Sequence, residues 1–447
     1  MTRSIMAVVV VLMLAGMAQA NGLDDLNAGV AAEKRGDLDA ALGSYTRALD
    51  SAELTKENQT IAYLNRGLAY GRRGDYDAAL RDFNAALRLN PNSVLAYYNR
   101  GLAYGAKGDY DAALRDFNAA LRLNPNDVDA YSNRGFLYGR RGDYEAALRD
   151  FNAALRLNPN ANAYLNRGAT YGAKGDYDAA IRDYTTALHL NPNLVFAYYN
   201  RGIAYSSKRD YDAAIRDYNA ALRLNPNLTF AYYNRGLAYG AKGDYDAALR
   251  DFNAALRLNP NDANAYNNRG IVYGEKGDYD AALRDYNAAL RLNPNYAAAY
   301  IGRGVIHFVV GRFTDAATDF AHGLRIDPKS AYDTLWLHLS RARAGRADTD
   351  EFVRNAAAVD RKVWPGLVIA FFLRQLSADQ LLMAAESPDG QKRRGQRCQA
   401  VFYIGEQEIL DQKLERATPH LKEALDVCPP GYYEHIGAKA ELSRVGK

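Results

Sequence analysis

One phrase returns at a fixed period along this chain, and the period constrains the fold more than any other feature. The stretch AYYNRGLAYGAKGDYDAALRDFNAALRLNPN at residues 96–126 recurs with few changes along most of the 447 residues. The proline that closes each copy recurs every 34 residues, with one step of 33, at Pro91, Pro125, Pro159, Pro192, Pro226, Pro260, Pro294 and Pro328. Such a period is typical of stacked repeats, in which each unit contacts only its neighbours. We therefore predict an all-α solenoid rather than one globular core.

Within one copy, residues 94–127, the pattern predicts two antiparallel helices. Helix A is expected from Val94 to Lys107 and ends at Gly108, because glycine adopts the left-handed conformation without a Cβ penalty. Helix B follows Asp109, whose side chain can cap the free N–H groups at a helix start. Asn124 and Pro125 end helix B, because the residue before proline avoids the helical region.

The fixed residues of each copy resemble the tetratricopeptide repeat family. Its pattern of a large aromatic, Gly, Tyr, Gly, Ala, an aromatic, Ala and Pro is carried here by Tyr97, Gly101, Tyr104, Gly108, Ala113, Phe117, Ala120 and Pro125. The resemblance implies a right-handed superhelical solenoid of antiparallel helix pairs, followed by a C-terminal helical region. Nine units fit residues 21–330, at 22–59, 60–93, 94–127, 128–160, 161–194, 195–228, 229–262, 263–296 and 297–330.

Two departures from the family pattern carry physical predictions. An arginine precedes the first glycine of most units, and an aspartate precedes the helix B aromatic, as in Arg100 and Asp116. We hypothesise a ladder of Arg–Asp pairs, either between helices A and B or between adjacent units. The alternative is solvent-exposed charge, worth about 0–1 kcal/mol per pair. The second departure is Arg209, which stands where the other interior units have the capping glycine.

By resemblance, helix A builds the concave wall that binds partners in this family. The expected inner positions are Asn65, Asn99, Asn133, Asn166, Asn200, Asn234, Asn268, Tyr98, Tyr199, Tyr233, Leu102, Phe136, Ile203 and Leu237. An asparagine side chain can both donate to and accept from a peptide backbone. A glycine row at Gly71, Gly105, Gly139, Gly172, Gly240 and Gly274 leaves room for close approach. Alternatively, the asparagines only bridge neighbouring repeats and the tyrosines only pack the stack.

After residue 330 the repeat becomes degenerate. Residues 331–397 are expected to form a helical linker region, residues 398–430 a further repeat-like unit, and residues 431–447 a capping helix. This part resembles the C-terminal part of NlpI-type bacterial tetratricopeptide proteins through Leu335-Trp336-Leu337, Trp364, Phe371-Phe372-Leu373, Phe402-Tyr403-Ile404-Gly405, Glu434 and Ala440-Glu441-Leu442. The resemblance implies an adaptor that brings a protease and peptidoglycan hydrolases together.

The first 20 residues have the pattern of a secretory signal peptide. Arg3 precedes an apolar run, and Ala18-Gln19-Ala20 is a small-residue cleavage site, with cleavage expected after Ala20. The protein is therefore predicted to be periplasmic or secreted. Cys398 and Cys428 are the two cysteines, and they lie at helix ends that antiparallel packing brings together. In an exported protein this arrangement predicts a disulfide.

Charge and motifs exclude several classes of function. The formal charge is +4, and one interior repeat is neutral, so the basic stripe of a nucleic-acid binder is absent. The short basic run from Lys392 to Arg394 is interpreted as a solvated loop. The apolar runs are too short for stable membrane insertion. No phosphate loop, nucleophile elbow or metal-ligand spacing is present, so we expect no enzyme, cofactor or metal site.

The leading prediction is an exported scaffold that binds protein or peptide partners in the groove. It would deliver clients to a periplasmic protease or to cell-wall hydrolases. The alternative is a structural component of a polysaccharide-export or outer-membrane assembly. Self-association of the near-identical repeats stays open.

Overall fold

The computed structural model describes residues 20–346, 349–429 and 431–445, which are helical or in turns and contain no strand. The predicted signal peptide lies outside the described residues, except for Ala20, where the first helix begins. None of the described helices has both the length and the apolarity needed to cross a membrane. The chain divides into two compact units, and the boundary between them in the sequence lies between Ala204 and Tyr205.

The first unit holds the first five helix pairs and most of the helix that follows them. Each helix A is joined to its helix B by a short turn, so the two pack antiparallel, and each pair packs on the next. The helices are α1 (Ala20–Lys34), α2 (Leu38–Asp50), α3 (Lys56–Arg73), α4 (Tyr76–Leu89), α5 (Val94–Lys107), α6 (Tyr110–Leu123), α7 (Val128–Arg140), α8 (Tyr144–Leu157), α9 (Ala161–Lys174), α10 (Tyr177–Leu190) and α11 (Val195–Ser207).

The second unit consists of further antiparallel helix pairs and ends in a helical C-terminal region. Its helices are α12 (Tyr211–Leu224), α13 (Thr229–Ala241), α14 (Tyr245–Leu258), α15 (Ala263–Lys276), α16 (Tyr279–Leu292), α17 (Ala297–Val309), α18 (Phe313–Ile326), α19 (Ala331–Arg343), α20 (Thr349–Ala356), α21 (Gly366–Phe372), α22 (Ala378–Ala384), α23 (Gly390–Leu410), α24 (Leu414–Val427) and α25 (Tyr433–Val445). The pair α23 and α24 is repeat-like, but α23 begins at Gly390 rather than at Cys398. The basic run from Lys392 to Arg394 therefore lies in a helix, and its interpretation as a loop was wrong.

The predicted caps define the repeat boundaries. Gly108 has a φ of 85° after α5, and the Asp109 side chain accepts a hydrogen bond of 3.0 Å from the backbone N–H of Ala112. Arg209 has a φ of 64°, so the left-handed turn is kept there without a glycine. The prediction of a left-handed cap is therefore confirmed, and the cap is kept at Arg209.

Close approach of helices A and B requires the first glycine of the repeat. A Cβ atom on Gly101 would lie 3.1 Å from a ring carbon of Phe117 and 3.3 Å from the backbone oxygen of Ala113. Phe117 is only 1% exposed, so its ring has no free space into which to move. A larger residue at position 101 would have to push the two helices apart.

The Arg–Asp ladder is confirmed and lies within the repeat. Arg100 donates from Nε and Nη2 to the two carboxylate oxygens of Asp116, each at 2.7 Å. Such bidentate pairing is the strongest arginine–carboxylate geometry. The described pairs are Arg66–Asp82, Arg100–Asp116, Arg134–Asp150, Arg167–Asp183, Arg235–Asp251, Arg269–Asp285 and Arg303–Asp319. Their aspartates are 3–5% exposed, so the alternative of solvated charge was wrong.

The same arginines also join adjacent repeats. Nη1 of Arg100 donates to Oδ1 of Asn84, in helix B of the preceding repeat, at 2.5 Å. Its guanidinium carbon lies 5.5 Å from the centre of the Tyr97 ring, within range of a cation–π interaction. Hydrogen bonds to Asp116 raise the pKa of Arg100. Each such arginine therefore connects its own helix B with helix B of the repeat before.

The C-terminal region of the second unit has an aromatic core. Trp336 is fully buried, and its ring lies 5.1 Å from that of Phe308 and 5.5 Å from that of Phe402, measured between ring centres. A disulfide joins Cys398 in α23 to Cys428 at the end of α24, as expected. The segment that resembles NlpI-type proteins thus packs onto the last repeat.

Candidate partner-binding surface

The side chains predicted to line the inner face of the helices A differ in how far they are exposed to solvent. Asn65, Asn99 and Leu102 are buried, with exposed fractions of 0%, 5% and 7%. The Asn99 side chain donates to the backbone oxygen of Leu95 within its own helix. These three residues cannot contact a partner in this conformation, so their assignment to an exposed surface was wrong.

Two of the predicted asparagines bridge neighbouring repeats through a tyrosine. Nδ2 of Asn133 donates to the Tyr98 hydroxyl at 3.0 Å, and Nδ2 of Asn268 donates to the Tyr233 hydroxyl at 3.0 Å. Burial raises the pKa of Tyr233 to about 12, so this hydroxyl stays protonated at neutral pH. The side-chain nitrogens of these two asparagines therefore join neighbouring repeats, as the alternative interpretation predicts. The Asn268 side-chain oxygen has no partner among the described residues.

The other predicted positions remain accessible to different degrees. Ile203 and Leu237 are each 37% exposed, which is high for aliphatic side chains on a packed helix. Half-buried positions are Phe136, Asn166, Tyr199, Asn200 and Asn234. These seven side chains are therefore at least partly accessible, and their assignment to a binding face stays a prediction.

A cleft occurs at the same repeat register in both units. In the first unit it has a volume of about 200 Å³ and lies between Gly172 of α9 and Asn200 and Ile203 of α11. In the second unit it has a volume of about 140 Å³ and lies between Gly240 of α13 and Asn268 of α15. In both clefts a glycine of the predicted row lies at one side and an asparagine of the next helix A at the other.

The cleft glycines are not required by the packing of their own repeat. A Cβ atom on Gly240 would meet only a methyl carbon of Val272, at 3.9 Å, which is an ordinary contact. This differs from Gly101, where a Cβ atom would press against Phe117. The absence of a side chain at Gly240 therefore keeps a surface space open rather than allowing two helices to meet.

The C-terminal segment covers part of the helix A face, which the sequence analysis did not predict. The backbone N–H of Gly431 donates to Oε1 of Glu275 at 2.8 Å, and His435 lies 3.4 Å from Oε2 of the same carboxylate. A methyl carbon of Ile436 lies 3.6 Å from where a Cβ of Gly274 would be. The predicted capping residues include α25, which packs against α24 and α23 and also reaches helix A of the last two repeats.

A sequence signal for this contact was present. Glu275 is the acidic residue at its repeat position, where other repeats have Arg72, Ala106, Arg140, Ala173, Ser207, Ala241 and Val309. A carboxylate that occurs in one copy alone is consistent with a partner that only this copy has. Here the partner is the start of the C-terminal segment.

The site chemistry suits recognition of partners. No group of three or more potential metal ligands occurs among the described residues. Glu275 is the charged residue of the cleft beside Gly240, and it is already bonded to Gly431. The cleft is otherwise lined by aliphatic, aromatic and amide side chains, which is the common composition of binding clefts.

Comparison with solved structures finds other repeat proteins. The MamA protein is 31% identical, over 37% of this chain and 91% of that chain, with a TM-score of 0.35. A tetratricopeptide repeat protein from Parabacteroides merdae is 23% identical, over 56% of this chain and 98% of that chain, with a TM-score of 0.46. YrrB, described as a TPR protein with an unusual peptide-binding site, is 24% identical, over 40% of this chain and 92% of that chain, with a TM-score of 0.35.

No match to a curated protein was found. Models of the tetratricopeptide repeat match residues 64–128 and then, one repeat at a time, residues 128–160, 161–194, 195–228, 229–262 and 263–296. The matched repeats follow one another without a gap over more than half of the chain, and the protein belongs to the tetratricopeptide repeat family.

Proposed function

We propose that this protein is an interaction scaffold whose helix A face binds segments of partner proteins. Repeats of this family support scaffolds that bind protein or peptide partners. The observation that carries the proposal is the recurrence of one cleft at one register, beside Gly172 in the first unit and beside Gly240 in the second. A cleft that recurs with the repeat gives each unit an equivalent contact site for a partner segment.

The chemistry of the face favours partner segments with apolar side chains. Ile203 and Leu237 offer exposed aliphatic surface beside the clefts, and burying such surface yields about 25 cal/mol per Å². The side-chain oxygen of Asn268 can accept one hydrogen bond from a partner. The one charged group at the second cleft is already satisfied, so a strongly charged ligand gains little there.

We further propose that the scaffold is exported and acts in the cell envelope. The signal-peptide pattern before Asn21 and the disulfide between Cys398 and Cys428 support an oxidising compartment. The C-terminal resemblance to NlpI-type proteins supports delivery of clients to a periplasmic protease or to cell-wall hydrolases.

The test is capture of partners by mild crosslinking in the native cell envelope. The groove variant carries Ile203→Asp and Leu237→Asp. The control variant carries Leu224→Asp and Leu258→Asp, which change side chains of 40% and 42% exposure at the ends of helices B. We expect a protease or hydrolase with the wild type and the control, and its loss with the groove variant.

Capture that persists in the groove variant would contradict binding on the helix A face. Recovery of only further copies of the chain, with every variant, would instead support the structural assembly role.

A further inference from the structure

The C-terminal helix is an internal example of a helix bound on the helix A face. It packs against α17, and Arg444 near its end donates to the backbone oxygen of Phe308 at 2.7 Å. Near its start, Ile436 lies over Gly274 of α15, where the absence of a side chain gives it room. Ile306 of α17 lies closer to the same point, at 3.1 Å, so two isoleucines, one of them carried by α25, fill the space over this glycine of the predicted row.

The same space is open one repeat earlier. Gly240 precedes Gly274 by one period of 34 residues, and the cleft beside it ends at Gly431, the start of the C-terminal segment. The open surface is therefore continuous with the surface that α25 covers. Its volume of about 140 Å³ is close to that of an engineered apolar cavity of about 150 Å³ that holds benzene, so one aliphatic side chain fits.

The polar groups of this cleft favour a helical ligand over an extended one. An extended peptide needs partners for its backbone N–H and C=O groups when it is covered. Of the polar side chains that line the cleft, Tyr245 and Glu275 contact each other, and the Asn268 nitrogen is bonded to Tyr233. Of the amide atoms of Asn268, the side-chain oxygen is the one without a hydrogen bond among the described residues. An α-helix pairs its own backbone N–H and C=O groups, so it needs no polar partners from the cleft.

We infer that the cleft beside Gly240 binds an α-helical segment of a partner protein that places one branched aliphatic side chain over Gly240. The arrangement copies that of Ile436 over Gly274. The inference rests on the proposed binding role of the helix A face and adds the conformation and the anchor residue of the partner.

The test selects peptides against the full chain from two display libraries. Both contain peptides of about 16 residues on an Ala-, Glu- and Lys-rich framework, with one face randomised. The second library carries a central proline that prevents a continuous helix. Binding of selected peptides is then measured to Gly240→Leu, which fills the cleft, and to the control Gly43→Leu. Gly43 is an exposed helical glycine away from the helix A face, and a Cβ there would meet only the Arg47 guanidinium at 3.6 Å.

We expect binders from the helical library that carry Ile, Leu or Val at one shared position. Gly240→Leu should weaken them about tenfold or more, which corresponds to one lost buried aliphatic contact, while Gly43→Leu leaves binding unchanged. Binders that come only from the proline library and are lost in Gly240→Leu would overturn the helical ligand but keep the face as a binding surface. Binders from either library that are insensitive to Gly240→Leu would overturn the inference. Loss of native partners in the groove variant, measured separately, would still support the proposed function in that case.

Discussion

The backbone N–H of Gly431 and the carboxylate of Glu275 form a hydrogen bond of 2.8 Å across 156 residues of sequence. It fixes the start of the C-terminal segment on α15, while Arg444 fixes its end on the backbone oxygens of α17. The array is therefore closed by its own chain at the last two repeats. The helix A face is open only before that point in the second unit.

Replacement of Glu275 should loosen the C-terminal segment without unfolding the repeat. Glu275→Ala introduces the residue found at Ala106, Ala173 and Ala241 and removes a hydrogen bond to a charged group, worth about 1.5–3 kcal/mol. We expect faster amide hydrogen exchange in α25 and little change in α13 and α14. Asp246→Ala, which removes an exposed pair with Lys276, is the control. Unchanged exchange in α25 would show that Glu275 does not hold the segment.

Removal of one arginine from the ladder should destabilise the first unit strongly. Arg100→Met leaves Asp116, which is 4% exposed, without its partner, and breaking a buried pair in this way costs about 3–5 kcal/mol. The exposed Arg115→Met should change stability by about 0.5 kcal/mol or less. The midpoint of urea unfolding measures both. A double-mutant cycle with Asp116→Ala that gives no coupling would contradict the ladder.

A glycine at position 209 should stabilise the second unit. Arg209 has a φ of 64°, a conformation that costs a residue with a Cβ about 1 kcal/mol relative to glycine. Arg209→Gly should therefore raise the melting temperature. The reciprocal change Gly243→Arg, at a φ of 80°, should lower it by a similar amount. Equal melting temperatures for the wild type and Arg209→Gly would show that the left-handed turn carries no strain.

Stability of the C-terminal region should fall as the pH rises from about 5 to 8. Burial raises the pKa of Glu434 to about 7, from an ordinary value of 4.5. The buried carboxyl of Glu434 contributes fully to stability at pH values below its unfolded pKa, where the folded and unfolded states are both protonated. As the pH rises through its folded pKa, the free energy of unfolding falls by about 3 kcal/mol. Burial also raises the pKa of Asp333 to about 6, in the same direction.

The variant Glu434→Gln isolates this effect. The half-buried His338, whose pKa is lowered by desolvation, acts in the opposite direction, so the informative quantity is the difference in melting temperature between the variant and the wild type. We expect that difference in melting temperature to favour the variant increasingly from pH 5 to pH 8. The exposed Glu415→Gln should show no such trend. A difference that is independent of pH would contradict a neutral Glu434.

The repeated part of the fold could be predicted closely because its contacts are local and occur many times. The bounds of α5 match the predicted helix, and the pairing of Arg100 with Asp116 follows from residues that recur together. The burial of Asn65 and Asn99 could not be predicted, because identical sequence positions have different neighbours along the array. The contact between Glu275 and Gly431 has no second copy from which to infer it.

The arginine of the Arg–Asp ladder in each repeat also determines how such an array can change in length. Its two hydrogen-bonded partners lie at fixed offsets, Asp116 after Arg100 and Asn84 before it, each by 16 residues. Insertion or deletion of one whole repeat leaves both offsets intact at every junction, so no compensating substitution is required. The step of 33 residues does not break this pattern. Arg167 still donates to Asn152, 15 residues before it, because the turn between α8 and α9 is one residue shorter than in the other repeats. Duplication or loss of a complete repeat therefore keeps the hydrogen bonds of the arginine at each junction, so the array can change in length by whole repeats.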